Sequence, residues 1–537
     1  MKTALLFLLM LYIALDSGLS AQPNLVWEQR YNGPGNLQDH AYKIKCDNSG
    51  NVYVTGRSIG SGSGYDFFTT KYGANGSQIW AHRYNGPGNG EDGAVSMDVD
   101  NNSNVYVTGY SVGSSGNMDF CTIKYDSSGN VIWLKRFDGG FDDIAVALEV
   151  DSSGNIYVTG SSENSSLNGS EKYLTLKYDN NGNVLWERKY DANIVNPDIP
   201  SDLTIDNSGN IIITGTSTTP ASWDDIATIK YNSAGQQLWV NRFSLPSTVS
   251  TDWGNAVISD NNGNVYVTGY SENFEGKMVT IKYSSDGVQL WYALYNNNAV
   301  DQGQDIDVYG NFIYVTGYTF GGKLLIVKYD INGNQIWDRI FQETQNSYGN
   351  SAEIDNLGNI YATGIGLNTS GADCLVLKYD MNGNLLWYKI YNGPIDSNDV
   401  ANDLCLDNFG NLYVTGWSRG FNTNADFITL KYDNLTLIQT LSNETPSYFS
   451  LSQNYPNPFN PSTNINFSIP NVETTRWVVS LKVYDISGKE VATLVNQQLN
   501  PGTYSVDWSA SNHPSGVYFY RLSAGEFTQT NKMILVK

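Results

Sequence analysis

Short runs in which apolar and polar residues alternate recur in groups of four along most of the chain. In the group Ala94–Phe137 the runs are Ala94–Val99, Val105–Tyr110, Phe120–Tyr125 and Val131–Phe137. Period-two alternation bounded by Asn, Asp and Gly predicts half-buried strands joined by turns. Three marks bring the groups into register. A Lys-Tyr pair recurs from Lys71-Tyr72 to Lys431-Tyr432, a Thr-Gly pair ends at positions from Gly56 to Gly416, and a Trp series runs from Trp27 to Trp387. Each mark occurs eight times, at a spacing of roughly 50 residues. Runs of the form D-x-x-G-N (Asp47–Asn51, Asp126–Asn130, Asp151–Asn155, Asp330–Asn334) suit tight hairpins, with Gly at positive φ and Asp capping the turn. The Trp series belongs to the core or to the contacts between repeats.

Four antiparallel strands per repeat, at this period, predict the blades of an all-β propeller. The last copy ends after its third strand, Phe427–Tyr432. Leu25–Tyr31 (LVWEQRY) matches fourth strands such as Gln78–Tyr84 (QIWAHRY), so the N-terminal strand is expected to complete the last blade. Strings such as GNVYVTGYS (Gly263–Ser271) and DFCTIKYDSSGNVIW (Asp119–Trp133) resemble the bacterial β-propeller repeat family labelled SBBP, over Leu25–Tyr432. That resemblance implies seven blades; the count in the sequence is eight.

The formal net charge is −22. Residues from Ser450 onward are nearly neutral, so the repeats carry the acid. This argues against nucleic acid and anionic membranes as partners, and suits solubility outside the cell. Met1–Ala21 reads as a secretory signal: Lys2, an apolar run Ala4–Leu15, then small residues. No later stretch is long and apolar enough for a membrane helix. Four Cys (Cys46, Cys121, Cys374, Cys405) lie on strand-like runs and are expected to be buried free thiols. Cys46 and Cys405, in the first and last repeats, sit one position out of phase, which speaks against a bridge between them.

Composition shifts near Ser442. The domains expected are a signal peptide (1–21), the propeller (22–441), a linker (442–447) and a C-terminal domain (448–537). In the last, alternating runs separated by Gly and Pro predict a small Ig-like β-sandwich. Its motifs are Asn457-Pro458-Phe459, a Tyr-Asp-x-x-Gly-Lys turn ending at Gly488-Lys489, the pairs Gly502/Tyr504 and Gly516/Tyr518, and a Lys-rich end. This block resembles the type A C-terminal sorting domain of the type IX secretion system. The resemblance implies passage through the periplasm, engagement of the secretion machinery by residues 448–537, and release or attachment at the outer-membrane surface.

Two sets of residues outside the folding pattern are candidate ligand contacts. One is an Asp eight positions before the turn Asp: Asp39, Asp92, Asp143, Asp198, Asp252 and Asp399, absent from the sixth and seventh repeats in this register. A near-ring of carboxylates at one channel mouth would suit a cation or a polyol. The plainer reading is that each Asp caps the start of its own strand. The other set is aromatic: Trp223, Trp253 and Trp417, with Phe274, Phe320 and Phe421, on the variable loops of one face, where stacking on sugars would be possible chemistry. No catalytic residue, metal ligand or cofactor is assigned. The Asp/Asn/Gly runs lack the spacing of a calcium loop, leaving calcium a weak alternative. Only three His occur (His40, His82, His513). The expected function is non-catalytic binding of a glycan or a surface protein. The alternative is an extracellular propeller enzyme, either quinoprotein-like or a carboxylate-based glycosidase; the vicinal Cys pair typical of quinoproteins is missing.

Overall fold

The computed structural model describes residues 22–163, 171–192, 197–219, 222–245, 251–272, 276–297, 299–319, 321–368, 371–433, 438–442, 446–470, 478–499, 501–510 and 513–537. The expected signal peptide, Phe274 and Phe320 lie outside them. Every regular element among the described residues is a β-strand, and none is a helix that could cross a membrane. The chain forms two compact units, Pro23–Asn434 and one holding Leu435–Lys537.

The first unit has a β-propeller fold built from eight four-stranded antiparallel sheets. Sheet 2, for example, runs Asp92–Val99, Val105–Val112, Met118–Tyr125, Val131–Phe137, each strand pairing with the next. The inner strands of sheets 1 to 8 are Asp39–Cys46, Asp92–Val99, Asp143–Val150, Asp198–Ile205, Thr251–Ser259, Asp301–Tyr309, Asn346–Ile354 and Asp399–Leu406. The outer strand of sheet 8 comes from the other end of the chain. Leu25–Tyr31 pairs with Ala425–Tyr432, with Tyr31 opposite Phe427.

The recurring residues explain the turns and the joints between sheets. In the turn after the third strand of sheet 2, Asp126 Oδ1 accepts the Ser128 and Asn130 N–H groups, and Gly129 takes φ +89°. Trp80, on the outer strand of sheet 1, lies against that turn. A Cβ on Gly129 would fall 2.6 Å from its ring, so Gly is required for close approach as well as for φ. The Trp80 indole donates to Ser127 O (3.4 Å), and Lys71 Nζ donates to the same carbonyl (3.3 Å). Trp133 and Lys124 repeat this on Asn180 O. Thus the Lys, the Trp and the turn Gly tie most sheets to their successor; in sheet 7 the Lys378 ammonium donates instead to the Tyr361 hydroxyl of its own sheet.

Cys46 and Cys405 form a disulfide, with Cα atoms 6.2 Å apart, which corrects the expectation of free thiols there. The one-position offset is the geometry of the joint. Across neighbouring inner strands, the side chain six residues after the strand-start Asp, or after Ser347 in sheet 7, reaches the residue seven after the Asp in the next sheet. Asp98 to Val150 and Glu353 to Leu406 make this contact as hydrogen bonds. Sheets 8 and 1 make it covalently. Cys121 and Cys374 are buried free thiols.

In the second unit two four-stranded sheets enclose one core containing Phe459, Phe467, Trp508, Tyr518 and Met533. The strand Ile438–Ser442 pairs with Gly502–Ser509, so this unit begins structurally before the composition shift at Ser442.

Candidate functional site

The six strand-start Asp residues do not present an open carboxylate ring. Asp39, Asp92, Asp143, Asp198, Asp252 and Asp399 are all 0% exposed. Asp39 Oδ2 accepts the Gly33 N–H (2.7 Å), Asp92 that of Gly86 (2.6 Å) and Asp399 that of Gly393 (2.6 Å), each in the link leading into its strand. A seventh member, Asp301, starts the inner strand of sheet 6 and accepts from Asn297 N (3.4 Å). The register missed it because the following turn is shortened to Tyr309-Gly310-Asn311. Ser347 holds the place in sheet 7, bonding Leu324 N. Burial raises the affinity of Asp39, Asp92, Asp143, Asp198, Asp301 and Asp399 for protons, most of them being held between backbone donors and a Ser hydroxyl.

Behind them lies a repeated charge network. Arg83 binds Asp66 (2.7 Å), Arg136 binds Asp119 (2.5 Å), Arg242 binds Asp225 (2.8 Å) and Arg30 binds Asp426 (3.1 Å). Each Arg also contacts the strand-two Ser of its sheet and a Tyr of the preceding sheet, as Arg83 does Tyr31 (3.1 Å) and Arg136 does Tyr84 (3.1 Å). The network is structural: it ties first, second, third and outer strands to the neighbouring sheet. Asp119, Asp138 and Asp143 bring ligand atoms within 4.8 Å of one another, the arrangement closest to the calcium alternative, but Asp119 is already held by Arg136.

The open space lies on the axis. A cavity of about 380 Å³ is lined by the inner strands of all eight sheets. Its charged lining is Lys43 and Lys45 against Asp98, Glu149, Asp202, Asp305, Glu353 and Asp403. Most of these acids double as latches. Asp202 accepts Val257 N (2.9 Å), Asp305 accepts Ala352 N (2.9 Å), Glu149 accepts Ile205 N (2.9 Å), and Asp403 accepts Ile44 N (3.0 Å) across the junction of last and first sheets. Burial, then repulsion from Asp98 and Asp202, pushes Glu149 up to about 8. Burial pushes Asp202 to about 7 and Glu353 to about 7. Asp403 holds the Lys43 ammonium above its usual range. These residues were missed in the sequence. The available signal was charge at inward positions of otherwise apolar strands, such as DIDV (Asp305–Val308).

At the variable-loop end of the inner strands, one cross-strand pair per sheet follows the strand start. The pairs include His40–Arg57, Gly93–Tyr110, Trp253–Tyr270, Gln302–Tyr318, Tyr348–Ile365 and Val400–Trp417. Aromatic contacts link pairs of neighbouring sheets: Tyr318–Tyr348 at 5.2 Å and His40–Trp417 at 5.3 Å. Two of the three Trp candidates therefore belong to this collar. Trp253 is 43% exposed and packs on Tyr270 (5.8 Å). Trp417 is half-buried beside His40. Trp223 stands 59% exposed on the loop side of sheet 4; its neighbour Asp224 accepts from the Trp253 indole (3.4 Å). Phe421 is exposed on a loop of sheet 8.

In the second unit, the Asn457-Pro458-Phe459 segment docks on the final strand. Asn457 Oδ1 accepts Ile534 N (3.0 Å), Phe459 N donates to Ile534 O (3.0 Å), and the Phe459 ring is buried against Trp508. Gly488 closes a turn in which Asp485 Oδ1 accepts Ser487 N and Lys489 N. Gly502 opens the strand that carries Tyr504 against Phe467 (5.5 Å). Gly516 pairs with Leu535, and the Tyr518 hydroxyl donates to Pro514 O (2.8 Å).

Residues 453–537 match the family model described as the secretion system C-terminal sorting domain. This marks the chain as an exported protein, secreted or held at the outer-membrane surface, and implies engagement of the type IX secretion machinery. Among solved structures, the β-propeller domain of the Trilobed protease from Pyrococcus furiosus is similar at 10% identity and TM-score 0.39, over 64% of this chain and 95% of that one. A protein of unknown function from Dyadobacter fermentans is similar at 9% identity and TM-score 0.38, over 76% and 98%. An uncharacterized WD repeat-containing protein, L264, of Acanthamoeba polyphaga mimivirus is 24% identical over 35% of this chain. The match spans only 17% of that relative's length.

Proposed function

We propose that the eight sheets are the blades of a closed eight-bladed propeller of the SBBP repeat type, with an Ig-like sandwich as its sorting domain, and that the propeller is a non-catalytic glycan-binding module. The observation that carries the binding assignment is the aromatic collar at the end of the axial channel. The inner strands that begin at the collar go on to line the polar cavity, and flat aromatic faces beside hydrogen-bonding groups suit the two-sided surface of a sugar. Loops on this side vary between repeats while the scaffold beneath them does not. The channel acids accept backbone N–H groups from the next sheet, which favours a latching role over carboxylate catalysis.

Under this reading Trp253 and Trp417 stack on sugar rings and Trp223 extends the surface. The test is a glycan array probed with the secreted full-length protein, then repeated with Trp253→Ala and Trp417→Ala. Binding that both substitutions weaken supports the assignment. An empty array alongside specific capture of a purified surface protein would replace the glycan with a protein partner.

A further inference from the structure

The collar is uneven in charge. Arg57 follows the Thr-Gly pair of sheet 1, and the matching position in the other seven sheets holds an uncharged residue (Tyr110, Ser161 and Tyr270 among them). The guanidinium lies over the Tyr65 ring at 4.1 Å and near that of Tyr42 at 5.8 Å, and Nη1 donates to the Tyr110 hydroxyl at 3.2 Å. Among the described residues, no carboxylate lies within ion-pair distance of it. The charged or ionisable groups that act on it most are the three tyrosines. Nε is enclosed without a partner, whereas Nη2 is neither bonded nor enclosed.

Other arginines of the same unit show what is unusual here. Arg30, Arg83, Arg136 and Arg242 each hold an Asp. Arg188 and Arg339 donate to carbonyls of the next turn. Arg188 and Arg339 also lie over one Trp ring each, at 5.7 and 5.3 Å, but Arg57 lies by two tyrosine rings and bonds a third tyrosine's hydroxyl, in a chain of net charge −22. Cation–π contacts fix its plane without cancelling its charge. A planar, fixed guanidinium with free Nη donors is a receptor for a carboxylate. The Trp417 ring beside His40, whose cross-strand partner is Arg57, supplies a flat face next to that charge.

We propose that Arg57 is the specificity-determining residue of the collar, and that the ligand is a glycan carrying carboxylated sugars of the uronic acid kind. This rests on the glycan reading of the collar and adds the chemical class. The carboxylate meets the Nη edge of Arg57 while the sugar ring lies on the neighbouring aromatic face.

The experiment is calorimetric titration of the full-length secreted protein with three oligosaccharides of equal length: an oligogalacturonate, its methyl ester and a neutral oligomer. The acid form is expected to bind at least about tenfold more tightly than its ester, the difference expected for a charge-assisted hydrogen bond. The preference should fall as salt rises. Arg57→Gln should abolish the preference for acid over ester, and Arg57→Lys should keep part of it. The ester comparison needs no variant, so a misfolded substitution leaves the test intact. Equal binding of acid and ester, or a preference that survives Arg57→Gln, overturns the role of Arg57 while leaving the glycan reading standing. Binding of none of the three, or of an acidic peptide in their place, overturns both.

Discussion

Replacing Cys46 and Cys405 together with Ser should loosen the joint between the first and last sheets. The bridge spans 359 residues of sequence. If it acted only by restricting the unfolded chain, a loop of that length would contribute about 6 kcal/mol. Bridges generally deliver less, roughly 2–4 kcal/mol, because the unfolded reference keeps structure and the native state adjusts. Two further features lower the loss here. The strand Leu25–Tyr31 still pairs with Ala425–Tyr432, and Asp403 still accepts the Ile44 N–H across the same junction. A loss of about 3 kcal/mol is therefore expected. The assay is guanidinium unfolding of the double Ser variant, the oxidised wild type and the reduced wild type. The propeller transition should move to lower denaturant in the variant and in the reduced protein alike. Cys121→Ser, at a buried free thiol, should not respond to reductant differently from wild type. Superimposable oxidised and reduced curves, or four titratable thiols in the unreduced denatured protein, would refute the reasoning.

The channel acids make stability depend on pH in a stated direction. Glu149, Asp202 and Glu353 have folded-state values near 8, 7 and 7, raised above their ordinary ones of 4.5, 3.8 and 4.5. Their protonated forms favour the fold fully below about pH 4, and that contribution is lost as pH rises through 7 to 8. Melting temperature should thus fall between pH 5 and pH 8.5, and Glu149→Gln should flatten the slope; a melting temperature that climbs over this range contradicts the placement of these acids. Arg136→Ala strands the buried Asp119 and should cost about 3–5 kcal/mol in denaturant unfolding, whereas Arg419→Ala, on an exposed side chain, should cost under about 0.5. Phe459→Ala opens the core of the second unit and should destabilise it by about 3–5 kcal/mol, read on that unit's own transition. Deleting 448–537 should leave the protein in the periplasm, measured by cell fractionation; normal arrival outside would remove the export role from this segment.

Much of the fold was legible because the repeats restate it. Period-two alternation located the strands, and the turn Asp and Gly located the hairpins. The match of Leu25–Tyr31 to the outer strands anticipated its pairing with Ala425–Tyr432. What misled was reasoning about contacts between repeats from equal numbering. Neighbouring inner strands meet with an offset of one residue, so Cys405 meets Cys46 for the reason that Glu353 meets Leu406. Asp301 escaped for a related reason: its distance to the turn was shortened, although its distance to the strand start was not. The channel acids escaped because a charged residue on a half-buried strand usually reads as its solvent face. On an inner strand that face is the axis.

The same comparison indicates where ligand selection resides. Positions that recur across the sheets (the strand-start Asp, the strand-two Ser, the Lys-Tyr pair, the Trp and the turn Gly) are mostly buried and packed within the sheet or against its neighbour, where they hold the fold. The inner-strand positions six after the start vary from Lys45 to Asp98 to Cys405, yet several are consumed as latches, and the variation there records different ways of closing one joint. The collar pairs vary as well, from His40–Arg57 to Trp253–Tyr270 to Val400–Trp417, and the contacts they make between sheets differ from one joint to the next. Aromatic area and one unneutralised guanidinium remain there after the requirements of folding are met. The strand-start Asp residues are 0% exposed and turned to their own links, whereas the Arg57 edge stands among the variable pairs, which is why that edge, and not the buried Asp ring, is the place to look for what this propeller recognises.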